Sequence, residues 1–104
     1  MTRFVHPAAA DITLAGVLSA LSDPMRLRIF KKLLDSRDGS LSCSAATPCP
    51  EMAKSTLSHH FRALRDAGLI RTTKQGVENL NCVRWEEVNA RFPGLLKTIL
   101  KFQQ

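Results

Sequence analysis

The amino-acid sequence predicts a mainly α-helical fold with one small β-hairpin, and three observations carry that expectation. Apolar residues recur at helical spacing through residues 14–34 and again through 57–64. Two runs rich in β-formers, LIRTTKQ (69–75) and NLNCVRW (79–85), flank Gly76. From Glu86 onward the pattern turns helical again. A chain of 104 residues has room for one domain, read as 1–104. A domain this small leaves much of its surface exposed, so a dimer interface is a natural supplement.

The elements follow in order. Asp11 is suited to cap a first helix in which Leu14, Leu18 and Leu21 recur. Asp23-Pro24 ends it and starts the next, with Asp as cap and Pro at the first helical position. Leu27, Ile29, Phe30, Leu33 and Leu34 give that second helix a broad apolar face, opposite Arg26, Arg28, Lys31 and Lys32, and residues 36–39 close it. Residues 39–50, GSLSCSAATPCP, permit a short helix near 42–47. A further helix begins near Ala53–Ser55, docks through Leu57, Phe61 and Leu64, and ends at Gly68. Its outward face holds Ser55, Ser58, His59, Arg62 and Asp66. After the hairpin, Val88, Phe92, Leu95, Leu96, Ile99 and Leu100 form the final apolar series, interrupted by Pro93-Gly94. That series is too apolar for a solvent-facing tail, and a partner subunit would cover it. Three helices followed by a two-stranded wing make the winged helix-turn-helix layout.

Fifteen basic residues against nine acidic ones give a net charge of +6, a field that attracts polyanions, nucleic acid before a membrane surface. Lys54, Arg62, Arg65, Arg71, Lys74 and Arg84 against Asp66 and Glu78 give residues 54–84 +4 of it. The opening MTRFVHPAAAD lacks the apolar core of a signal peptide and no later run approaches a membrane span, so the expected compartment is the cytoplasm and no membrane partner is expected. There Cys43, Cys49 and Cys82 rest as thiols.

The segment KSTLSHHFRALRDAGLI, 54–70, holds the strongest chemical signal. A helix that reads DNA needs short hydrogen-bonding and basic side chains near its N-terminus and an apolar face for docking. Lys54, Ser55, Thr56, Ser58, His59 and Arg62 meet the first need, and the hairpin turn adds Lys74 and Gln75. Arg and Lys reach guanine in the major groove, whereas Ser and Thr accept several partners. His60, on the flank of the docking stripe, reads as a structural histidine hydrogen-bonded inside the domain. No motif assembles a nucleophile, base and orienting acid, and no glycine-rich phosphate loop occurs, so neither an enzyme nor a cofactor is expected.

In these residues the chain resembles the arsenic-repressor (ArsR/SmtB) family of winged helix-turn-helix regulators. The resemblance rests on LSALSDPMRLRIFKKLL (18–34), STLSHHFRALRDAGLI (55–70) and RFPGLLKTIL (91–100). It implies a homodimer joined through the first and last helices, binding double-stranded operator DNA as a repressor that an inducer releases. The chain departs from the family where Pro48 and Pro50 truncate the helix before the reading helix. Many relatives bind metal through histidines and carboxylates of the last helix, but residues 86–104 hold no histidine. Others place thiols near the third helix, where Cys43 and Cys49 lie.

Several readings of these thiols stay open. Cys43, Cys49 and Cys82 sense an oxidant or reactive sulfur species, with the first two as the responsive pair. Alternatively they supply thiolates to a soft ion such as As(III) or Zn(II), with His6 as a further ligand. Or they are small apolar fillers. C-x5-C is no standard zinc spacing. In another class stands a winged-helix module that binds protein rather than DNA, which gives no reason for both helix and hairpin to be basic.

Overall fold

The computed structural model describes residues 4–36, 40–46 and 51–102. Helix α1 spans Leu14–Leu21 and α2 spans Pro24–Leu34. Thr13, not the expected Asp11, caps α1, its hydroxyl accepting from the Gly16 N–H at 3.0 Å. Asp11 instead ends a 3-10 turn, Ala9–Asp11. The helix starts late because the chain first buries Ile12 against Gly68, where any Cβ would stand 2.5 Å from the Ile12 side chain. At α2 the expected cap is present: Asp23 Oδ1 accepts from Met25 N at 2.8 Å and Arg26 N at 3.1 Å, with Pro24 opening the helix. The backbone N–H groups, that of Arg26 foremost, hold the Asp23 carboxyl below its ordinary pKa.

The least readable stretch contains an element that the sequence pattern does not announce. Strand β1, Ser40–Ser42, precedes the short helix α3, Cys43–Ala46, which falls within the expected 42–47. The Ser42 hydroxyl accepts from Ala45 N at 3.2 Å and so starts that helix. Gly39, Thr47, Pro48, Cys49 and Pro50 lie outside the described residues.

Helix α4, Lys54–Asp66, ends in a Schellman motif: Leu69 N donates to Leu64 O at 3.0 Å and Gly68 N to Arg65 O at 2.9 Å. Gly68 takes φ +81° there, a conformation that residues with a Cβ avoid. Strands β2, Ile70–Gln75, and β3, Glu78–Val83, turn through Gly76-Val77, with φ +62° at Gly76 as a glycine-first two-residue turn requires. The expected two-stranded hairpin is thus the larger part of a three-stranded antiparallel sheet, ordered β1-β3-β2. Ser40 pairs with Cys82, Leu41 with Asn81 and Ser42 with Leu80. Helices α5, Trp85–Arg91, and α6, Leu95–Lys101, follow, separated at Pro93-Gly94 as the sequence predicts.

One core joins these elements. It takes Val17, Ala20 and Leu21 from α1, Ile29, Phe30 and Leu33 from α2, Phe61 and Leu64 from α4, and Val88 and Leu96 from α5 and α6. Leu14 and Leu18 share the spacing of Leu21 but point away from it, 46% and 45% exposed. Among the described residues no helix is long and apolar enough to cross a membrane.

Candidate nucleic-acid interface

Helix α4 sorts its side chains by face. Phe61 and Leu64 are buried and Leu57 packs against them, while Lys54, Ser55, Thr56, Ser58, His59 and Arg62 are exposed. All six predicted α4 contacts therefore stand in solvent. The N-cap is Ala53, whose side chain makes no cap hydrogen bond. Arg62 Nε lies 3.7 Å from Asp66 Oδ2 with both side chains largely exposed, a weak pair that a phosphate can displace. On the wing, Lys74 and Gln75 occupy the last two positions of β2, opposite Asn79 and Glu78, and are likewise exposed.

The other basic residues of this segment have structural work. Arg84 is only 5% exposed; it donates to both carboxylate oxygens of Glu87 and, through Nη1, to Pro7 O at 2.8 Å. Arg71 Nη2 shares the same carboxylate at 3.5 Å. The Arg84 guanidinium, above all by hydrogen bonding, holds the Glu87 carboxyl below the usual range. Lys54, Lys74 and Arg62, the last only weakly paired with Asp66, thus carry the exposed charge of α4 and the wing tip.

Beneath the interface lies a buried polar chain that composition and periodicity do not show. Arg65 Nη1 donates to Thr72 Oγ1 at 3.3 Å, Thr72 Oγ1 donates to Asn81 Oδ1 at 2.7 Å, and Asn81 Nδ2 donates to Leu41 O at 3.2 Å. It runs from α4 through β2 and β3 to β1. Thr72 and Asn81 are cross-strand partners, 2% and 0% exposed. The outer edge of β2 is covered by the N-terminal arm: Thr72 N donates to His6 Nε2 at 2.9 Å, and the Phe4 ring stacks on Arg65 with its guanidinium carbon 4.6 Å from the ring centre. As an acceptor His6 is neutral. Its pKa is lowered by burial first and then by Arg71, Arg84 and Arg65. The same bond occupies the nitrogen that a metal would need, against the expectation of His6 as a ligand.

His60 is buried, as the sequence suggests, but its Nδ1 makes no hydrogen bond among the described residues, contrary to the one expected. Cys43 opens α3, and Cys49 lies outside the described residues. Cys82 is a half-buried free thiol lining a cleft with Arg71, Trp85 and Glu87. It pairs with Ser40, three residues before Cys43 in sequence. Among the described residues no three His, Cys, Asp or Glu side chains gather as a metal site.

Comparison with known proteins agrees with this geometry. The family profile described as a helix-turn-helix domain matches residues 21–73. The HTH-type transcriptional regulator YceK of Bacillus subtilis (strain 168) is 35% identical over 85 residues, 82% of this chain and 84% of that protein. An ArsR-like transcriptional regulator from Rhodococcus sp. RHA1 superposes with TM-score 0.62 at 29% identity, covering 86% of this chain and 81% of its own. A homodimeric winged helix-turn-helix DNA-binding domain from Mycobacterium bovis gives TM-score 0.65 at 26% identity, covering 97% and 91%. With the family profile, a relative of this identity and a shared winged architecture in agreement, the chain belongs to the ArsR/SmtB family of winged helix-turn-helix transcriptional regulators, which are not enzymes.

Proposed function

We propose that this regulator is a homodimeric repressor that binds an inverted-repeat DNA operator through α4 and the wing and is released by an inducer acting on cysteine thiols. The observation that carries the DNA reading is the exposure, on one domain, of Lys54, Ser55, Thr56, Ser58, His59 and Arg62 along α4 and of Lys74 and Gln75 at the wing tip. Hydroxyls and separated cations are what phosphates and base edges bind. A protein-interaction module would need no such charge on both elements.

The dimer is supported by an apolar surface that the fold leaves uncovered. Leu14 of α1 lines a shallow groove with Phe92, Pro93, Gly94, Leu95 and Thr98 at the α5–α6 junction, and Leu18 stands exposed one turn further along α1. First and last helices therefore share an unpartnered face, and the M. bovis relative is homodimeric.

The test is selection of bound duplexes from random-sequence double-stranded DNA, followed by footprinting. The expected result is a two-fold symmetric site with half-sites about 10 bp or a multiple apart. An asymmetric single site contradicts the dimeric reading, and selection of no duplex contradicts the DNA reading.

For the inducer, the support is the place of Cys43, at the start of α3 on the chain leading into α4, with Cys49 between them in sequence. Operator binding is followed while the protein is titrated with diamide, a polysulfide, arsenite or zinc. Loss of binding to diamide or polysulfide supports thiol oxidation, whereas loss to arsenite or zinc alone supports the thiolate-metal alternative. A Cys43→Ser, Cys49→Ser double variant that responds like wild type removes this pair from either role.

A further inference from the structure

The donor-only chemistry of one arginine fixes the direction of the whole buried polar chain. A guanidinium can only donate, so the Thr72 hydroxyl must accept from Arg65 and has its single proton left to give. That proton goes to Asn81 Oδ1, which orients the amide and leaves Nδ2 to donate to Leu41 O and, at 3.5 Å, to Asn79 O. Thr72 N meanwhile faces outward to His6, which makes Thr72–Asn81 a pair without mutual backbone hydrogen bonds, the closer kind of cross-strand pair. A buried site at 0–2% exposure would be filled at less desolvation cost by two apolar side chains. What the polar version adds is a unique angle, because directional bonds tie the last turn of α4 to both wing strands.

We propose that Thr72 and Asn81 are positioning residues for DNA binding: they lock the wing to the reading helix so that Lys74 meets the DNA backbone while α4 lies in the groove. This inference rests on the DNA reading proposed above. Neither side chain touches DNA. Their effect passes through Lys74, which lies two residues beyond Thr72 on β2, and a purely structural role does not predict that link.

The experiment combines Thr72→Val, which keeps the shape and removes the hydroxyl, with Thr72→Ser, which keeps the hydroxyl, and with Lys74→Ala. Circular dichroism checks that each variant is folded. Affinity is measured for the duplex selected by the wild-type protein, and amide hydrogen exchange is measured without DNA. Thr72→Val is expected to bind at least ten-fold more weakly, to expose wing amides to exchange ahead of those of α2, and to make Lys74→Ala silent when the two are combined. Thr72→Ser is expected to bind like wild type. If Lys74→Ala costs the same factor in either background, or if wing exchange in Thr72→Val equals wild type, the positioning role is overturned. If Thr72→Val does not fold, Asn81→Ser takes its place in the cycle under the same criteria. Should the wild type select no duplex, the DNA reading fails, and the exchange arm alone decides whether these residues lock the wing.

Discussion

At the scale of single residues, burial separates the side chains that hold the helix from those it presents. Phe61 and Leu64 are shut in the core, while Arg62 between them is exposed. Phe61→Ala is therefore expected to cost about 3–5 kcal/mol of stability. Arg62→Ala leaves the melting temperature within a few degrees and weakens DNA binding. Thermal melts beside binding curves check both, and an unchanged melt for Phe61→Ala contradicts the placement of that ring. His6 supplies a pH test. Its folded pKa lies below the ordinary histidine value of 6.5, so the unfolded chain binds the proton first as pH falls. The arm's contribution is thus complete above about pH 6.5 and is lost as pH drops through the lower folded value. The melting temperature of wild type minus that of His6→Ala is expected to shrink between pH 7 and pH 5; a constant difference contradicts the acceptor role.

At the scale of elements, legibility tracked whether the structure is made by local chemistry. Asp23-Pro24, Gly68, Gly76 and Pro93-Gly94 act on their own neighbours, and each ends or starts an element where the sequence places it. Strand β1 escapes because three residues carry no alternation, and its pairing partner lies about forty positions away. The cap of α1 moves from Asp11 to Thr13 through the burial of Ile12 against Gly68, a tertiary event. The exposed face of α4 follows from its 3.6-residue period, so its candidate contacts were legible. The Arg65–Thr72–Asn81 chain was not, because it joins three elements through residues unremarkable in sequence. The exposed leucines of α1 carry an element-scale prediction. Leu18→Glu is expected to convert the dimer to monomer by sedimentation velocity and to weaken operator binding, since one half-site is then lost. A dimeric Leu18→Glu protein contradicts the α1 interface.

For the whole molecule, the net charge of +6 overstates the charge offered to DNA, because Arg84 is buried against Glu87, whose carboxylate Arg71 shares at the surface. Within residues 54–84 the exposed cations Lys54, Arg62 and Lys74 are spread over helix and wing, so binding should depend on both together. The most direct measurement is the affinity for the selected duplex as a function of salt concentration. Each phosphate neutralised contributes about 0.9 to the slope of log K against log salt. The account predicts a steep slope for wild type that falls by about one per subunit in Arg62→Ala and in Lys74→Ala, and not in Lys31→Ala, whose cation lies on α2, outside α4 and the wing. A slope near zero, or one that Arg62→Ala and Lys74→Ala leave unchanged, contradicts the claim that α4 and the wing grip the DNA backbone.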